Sequence, residues 1–139
     1  MSRLNFRRAI LLERIEFTGE VFSSRGNGKK FLELPWVKRQ TTDKLGFIPY
    51  AGTLNLKLNK ESTERRKLLE KAQGEEICPV EGYYKGVLFK AFIGILECAI
   101  VVPEVPDYPE DLLEVIASVN LRKTLQLEDG FEITVTVNV

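Results

Sequence analysis

The chain contains no histidine, which removes histidine-dependent triads, histidine general bases and zinc hydrolase centres. Any proton transfer must use Asp, Glu, Lys, Tyr or Cys. Two cysteines, Cys78 and Cys98, stand apart with no C-x-x-C pattern. Without histidine they cannot complete a zinc site, and they read as buried or inert thiols of a cytoplasmic protein. No apolar run approaches the ~18 residues of a membrane span. The first ~20 residues lack an apolar core followed by a small-residue cleavage site, so secretion is not expected. Net charge is also missing: Lys+Arg 20 against Asp+Glu 20 leaves no global field toward nucleic acid or an acidic membrane. Basic residues gather only at the start, where Arg3, Arg7, Arg8 and Arg14 mark residues 1–14 as a surface arm.

What is present is an ordinary globular composition, 44% hydrophobic and 29% charged in 139 residues, so a single domain over 1–139 is expected. Residues 15–22 read as a strand, with Ile15, Phe17 and Val21 among polar neighbours. A glycine loop follows, then a second strand over 29–34 that Pro35 ends. Residues 36–51 read as a long polar connection of the kind often kept for function. A strand over 52–58 comes next, then a charged surface helix over 61–72 with Leu68, Leu69 and Ala72 as its apolar stripe. Val, Ile, Phe and Leu fill 83–92 and 94–102, which read as two core strands. After Pro103, Pro106 and Pro109, acidic Glu110 and Asp111 open a predicted helix with Leu112, Val115 and Ile116 on one face. A turn at 120–125 and the pair Asp129-Gly130 lead to a last strand alternating Ile133, Val135, Val137 and Val139. Many short strands with few short helices argue for a mainly β fold, a small closed or nearly closed barrel.

Four places could carry chemistry. In the strand Thr53-Leu54-Asn55-Leu56-Lys57-Leu58, the leucines share one face and Thr53 and Asn55 share the other. A hydroxyl and a carboxamide so placed can hold a hard cation such as Mg2+, which needs only one or two protein oxygens; a half-exposed strand shows the same pattern. The loop Ser24-Arg25-Gly26-Asn27-Gly28-Lys29 has glycines that let the backbone approach a phosphate and two cations to face it. A hairpin turn has the same composition. It is no P-loop, because Ser23 stands at the first glycine position and Lys30 where Ser or Thr should follow Lys29. Phe31 likewise takes the third glycine position of a dinucleotide fingerprint. On the predicted helix, Glu114 is about 200° from Leu112 and from Ile116, which by itself describes a solvated surface glutamate. Arg122 reads as a helix-end cap or a surface ion pair.

The segment Gly52-Thr53-Leu54-Asn55-Leu56 resembles the Gly-Thr-Leu-Asn-Leu core of the archaeal CTP-dependent riboflavin kinases. The glycine loop running to Pro35, Ala99-Ile100-Val101-Val102-Pro103, and Glu114-Val115-Ile116-Ala117 with Asn120-Leu121-Arg122 and Leu127-Glu128-Asp129-Gly130 match the family in order. The resemblance covers about residues 17 to 137, with a poorly matched middle. It implies a cradle-loop β-barrel related to swapped-hairpin folds, and transfer of the γ-phosphoryl group of CTP to riboflavin with Mg2+, giving FMN and CDP. It further implies Thr53 and Asn55 as magnesium ligands, and Ser24, Arg25, Gly26, Asn27, Gly28 and Lys29 as the phosphate loop. Val119, Asn120, Leu121 and Arg122 would surround the cytidine nucleotide, and Glu114 would touch the flavin or act as base for its 5'-hydroxyl.

The family often has a glycine where Ser24 stands. More seriously, Pro106 stands where the family usually has a threonine near the flavin phosphate, and Tyr108 where a neighbouring histidine is common. Proline offers neither hydroxyl nor N–H, so the flavin side at Pro106 differs or the acceptor does. Some relatives carry an N-terminal winged-helix regulator, for which the residues ahead of the first predicted strand are too few. Residues 121–133 also resemble swapped-hairpin DNA-binding proteins of the AbrB type, the alternative to a kinase. The neutral charge and long middle favour the kinase, expected as a monomer with no nucleic-acid or membrane partner.

Overall fold

The computed structural model describes residues 14–23 and 28–138. Among them, seven strands run β1 (Arg14–Phe22), β2 (Leu54–Leu58), β3 (Glu75–Ile77), β4 (Gly86–Ile93), β5 (Leu96–Pro103), β6 (Leu112–Ile116) and β7 (Glu132–Asn138). The order β3-β4-β5-β6-β2-β1-β7, with β7 returning to pair with β4, closes six strands into an antiparallel barrel. Strand β3 hangs on its outside as a short extra edge. Closure removes the exposed edges that a sheet of this size would otherwise present. The closing contact is short, Ala91 opposite Val137 and Phe92 opposite Thr136.

The alternation of the sequence sorts residues between two cores. Ile15, Phe17, Val21, Leu54, Leu56, Leu58, Leu113, Val115, Val135 and Val137 point inward and fill the barrel. A second core lies outside, where Leu88, Ala99, Val101 and Ile116 on the outer strand faces meet Leu32, Val37 and Leu45.

Those last three residues belong to two helices, and here the structure corrects the sequence reading. Residues 29–34 are not a strand: α1 spans Gly28–Glu33. Pro35 does not end a strand but opens α2 (Pro35–Leu45), where its missing N–H costs nothing. Residues 36–51 are therefore mostly helix rather than a polar connection. Gly46 closes α2 at φ 80, its N–H reaching the Thr42 carbonyl at 2.9 Å. Val37, Thr41 and Leu45 are the buried face of α2, one residue per turn.

The charged segment after β2 is helical as expected: α3 (Lys60–Arg66) runs into a 3-10 turn at Lys67–Glu70. Asn59 caps α3 by accepting from the Ser62 N–H at 2.8 Å. The helix predicted from Glu110 onward is absent; residues 112–116 are β6, with Leu113 and Val115 inward. Two adjacent β-branched residues, Val115 and Ile116, fit a strand between β2 and β5 better than a helix. The 120–125 turn contains a one-turn helix, α4 (Leu121–Thr124), capped by Asn120. Of the two cysteines read as buried or inert, Cys98 is buried and Cys78 is exposed. Arg14, placed in the arm by the sequence, is the first residue of β1; Arg3, Arg7 and Arg8 lie outside the described residues.

Candidate functional site

The outer faces of β2 and β6 meet beside α1, and there the structure brings together three residues singled out in the sequence. Asn55 and Glu114 are direct partners across the β2–β6 ladder. Directly opposed residues share a face, and Thr53, two residues before Asn55, shares it too. The Thr53 hydroxyl lies 3.2 Å from Asn55 Oδ1 and 3.3 Å from Glu114 Oε1. Asn55 is buried, at 8% exposure, while Thr53 and Glu114 are half-buried. Glu114 is thus no solvated helical glutamate; β6 turns it toward β2, with Val101 of β5 on its other side.

Two clefts open from this cluster. One, of ≈ 180 Å³, is bounded by Tyr50, Gly52 and Thr53 on one side and by Val119, Asn120, Leu121 and Arg122 on the other. The second, of ≈ 360 Å³, lies between Phe31, Tyr83, Tyr84, Val101, Tyr108 and Glu114. Thr53 borders both.

The smaller cleft is built by α4. The Asn120 side chain is engaged at both ends: its Oδ1 accepts from the Lys123 N–H at 3.1 Å and its Nδ2 donates to the Tyr50 hydroxyl at 3.1 Å. It therefore ties the 50–52 turn to α4 and leaves recognition of a ligand to other groups. Arg122 pairs with Asp129 at 2.5 Å and donates to Ser23 Oγ at 3.1 Å. That pairing, with a hydrogen bond from Ser23, holds the Asp129 carboxyl below its ordinary range. Asp129-Gly130 forms a turn, as read from sequence, and Arg122 anchors it beside Ser23. Ser24, Arg25, Gly26 and Asn27 of the expected phosphate loop lie outside the described residues, while Gly28 and Lys29 begin α1.

The larger cleft has an apolar, aromatic wall that the sequence reading did not pick out. Phe31 and Tyr83, which line it, each pack edge to face on Trp36 behind them, with Trp36 and Tyr83 ring centres 5.3 Å apart. Tyr83 and Tyr84 remain 46% and 56% exposed, large flat surfaces with room for a planar ligand. No short motif marks these residues, because α1 and the loop before β4 meet only in the folded chain. Opposite them, the Tyr108 hydroxyl donates to Glu114 Oε2 at 2.5 Å. Burial, then the Glu114 carboxylate, push the Tyr108 hydroxyl well above its ordinary range, so it stays protonated and a donor. Pro106 sits in an exposed turn and is not part of the cleft wall; its neighbours Val105 and Tyr108 are.

The donor set fits a magnesium ion. Ligands at about 2.1 Å in an octahedral shell put adjacent corners about 3 Å apart. The 3.2 Å between Thr53 Oγ1 and Asn55 Oδ1 matches two such corners. Among the described residues no group of three or more Asp, Glu, Cys or His could hold a metal by itself. Thr53 and Asn55 supply two oxygens, and water or a ligand would fill the rest of the shell. Among the described residues, no helix is long and apolar enough to cross a membrane.

A family model named CTP-dep_RFKase, described as domain of unknown function DUF120, matches residues 21–137. The chain is 35% identical over 131 residues to a riboflavin kinase of Methanosarcina barkeri, covering 89% of this chain and 57% of that protein. It is 39% identical over 130 residues to one from Archaeoglobus fulgidus, covering 88% and 54%. A riboflavin kinase of Ignicoccus hospitalis is 36% identical over 135 residues, covering 92% and 74%. The chain therefore spans little more than half the length of the Methanosarcina and Archaeoglobus relatives. With the match running from the end of β1 through the Thr53–Asn55 segment into β7, the chain belongs to the CTP-dependent riboflavin kinase domain family.

Proposed function

We propose that this domain transfers the γ-phosphoryl group of CTP to the 5'-hydroxyl of riboflavin, giving FMN and CDP. The observation that carries the reading is Thr53, shared by two clefts of different character. The ≈ 360 Å³ cleft, with its aromatic wall, suits a planar flavin. The ≈ 180 Å³ cleft, bounded by Val119–Arg122, suits the nucleotide, with Arg122 held at its edge by Asp129 and Ser23. Donor and acceptor then meet at Thr53.

Phosphoryl transfer asks the protein mainly for positioning and charge stabilisation. Thr53 and Asn55 would hold Mg2+, which neutralises charge on the phosphates when bound. Glu114 faces the same point from the flavin side, within reach of Thr53 at 3.3 Å. There it orients the acceptor hydroxyl and takes its proton as the 5'-oxygen bonds to the γ-phosphorus; the bond from that phosphorus to the bridging oxygen breaks, and CDP leaves. Lys29 and the loop 24–28 would complete the nucleotide side, with Val119, Asn120 and Leu121 presenting backbone to the base.

The test is FMN formation from riboflavin with CTP, ATP, GTP and UTP compared side by side, with and without Mg2+. FMN made best with CTP and only with the metal supports the reading. Nucleotide binding without FMN from any donor would mean a different acceptor, in keeping with Pro106. Absence of both nucleotide binding and turnover would overturn the reading.

A further inference from the structure

We propose that Tyr108, backed by Arg66, is a positioning residue that sets the orientation of the Glu114 carboxylate and thereby the seating of the acceptor. This rests on the reading of Glu114 as an acceptor-side residue. Glu114 has two oxygens with different partners: Oε1 faces the Thr53 hydroxyl at 3.3 Å, and Oε2 receives the Tyr108 hydroxyl at 2.5 Å. A carboxylate on a strand can rotate about its terminal torsion, which is broad and roughly two-fold. Holding one oxygen fixes where the other points. Tyr108 is well suited to do so: its hydroxyl has one proton to give, and burial keeps that proton on.

Tyr108 is itself held from behind. The Arg66 guanidinium lies 5.1 Å from the centre of its ring. Arg66 Nη1 in turn donates to the carbonyls of Pro109 and Glu110, at 3.4 and 3.3 Å. One side chain from the end of α3 thus fastens both the ring and the chain that follows it. Residues 104–111 form an otherwise irregular link between β5 and β6, with Asp107 at φ 61. A positioning residue on such a link needs an external brace, and Arg66 supplies it. Tyr108 also separates the ≈ 360 Å³ cleft from a broader ≈ 740 Å³ hollow that Arg66 lines. Loss of the brace would let the ring swing toward that hollow and release Glu114.

The experiment compares Tyr108→Phe, Arg66→Leu, Arg66→Lys and Glu114→Ala with wild type, measuring FMN affinity by flavin fluorescence and kcat and KM for riboflavin and CTP separately. Tyr108→Phe is expected to raise KM for riboflavin about tenfold, the worth of a hydrogen bond to a charged group, with KM for CTP unchanged. Arg66→Leu should move the same parameter in the same direction, and Arg66→Lys should restore part of it. In the Glu114→Ala background, Tyr108→Phe should have no further effect, because the residue acts through Glu114. If wild type binds flavin and Tyr108→Phe leaves the riboflavin KM unchanged, or changes it equally with and without Glu114, this proposal is overturned while the kinase reading stands. If wild type binds no flavin, the kinase reading fails, and this proposal with it.

Discussion

Asn55 and Glu114 face each other across the β2–β6 ladder, so a neutral donor and a carboxylate share one outer face of the barrel. On the proposed function, the division of roles between them has a physical reason. A carboxamide oxygen adds no charge where nucleotide phosphates already bring it, and the carboxylate stands one step further toward the aromatic cleft.

Asn55→Leu is therefore expected to separate fold from chemistry. Leucine suits a strand, and Asn55 is already buried, so the barrel should persist by circular dichroism. On the proposed function, loss of the Asn55 oxygen should weaken the apparent Mg2+ affinity of turnover by about 10–100-fold, the scale seen when the support of a metal site is disturbed. Titrating FMN formation against Mg2+ reads this directly. An unchanged Mg2+ dependence would remove Asn55 from the metal site.

Gly19 marks a tight approach between β1 and β2 in the barrel wall. A Cβ built there would sit 2.7 Å from the Lys57 carbonyl oxygen and 3.0 Å from its carbon, both backbone atoms that cannot swing away. Gly19→Ala should push β1 off β2 and destabilise the domain by about 1–3 kcal/mol, the usual cost of overpacking. The urea midpoint should fall with the slope of the transition unchanged. A midpoint equal to wild type would mean that the β1–β2 pair tolerates a wider spacing than this register implies.

How far the sequence disclosed these features depended on whether the pattern was local. Strands β1, β2 and β7 were legible because their inward residues alternate, as in Leu54, Leu56 and Leu58, and β4 and β5 because Val, Ile, Phe and Leu crowd them. Thr53 and Asn55 followed from the same alternation, and Glu114 came only through family resemblance. The helices beside the barrel were misread for a definable reason. In α2 the buried stripe is Val37, Thr41 and Leu45, and the polar Thr41 breaks the apolar signal, although Pro35 and Gly46 frame the helix. In β6 the proline-rich approach and the acidic pair Glu110-Asp111 imitate a helix start, and tertiary pairing with β2 and β5 overrides them. The Phe31–Trp36–Tyr83 wall could not be read at all, since its members meet only through packing.

The two cysteines should differ sharply in reactivity. Cys78 is exposed; Cys98 is buried in the barrel, where burial, with a smaller push from Glu97, raises its thiol to about 12. The reactive species is the thiolate, so at pH 8 an alkylating reagent should label Cys78 alone. Mass spectrometry should find one adduct on the folded protein and two after unfolding in denaturant. Rapid double labelling of the native protein would mean that the barrel opens near β5 far more readily than its packing suggests.

Asp129 offers a test of the α4 anchor by pH. Arg122 and Ser23 favour its charged form, so its folded pKa lies below the ordinary value of about 3.9. A depressed carboxyl contributes stability above the unfolded pKa and loses it as pH falls through the folded one. The contribution is therefore complete at neutral pH and fades only below about pH 4. Because the pair is on the surface, with the Asp129 side chain 58% exposed, it should be small and weakened by salt. In Arg122→Ala the Asp129 resonance should titrate at a higher pH than in wild type, returning toward 3.9 by carbon-detected NMR. The variant should match wild-type stability in acid and fall slightly below it at pH 7. An Asp129 pKa that does not move would show that Ser23 alone holds the turn, and that Arg122 is free to face the smaller cleft.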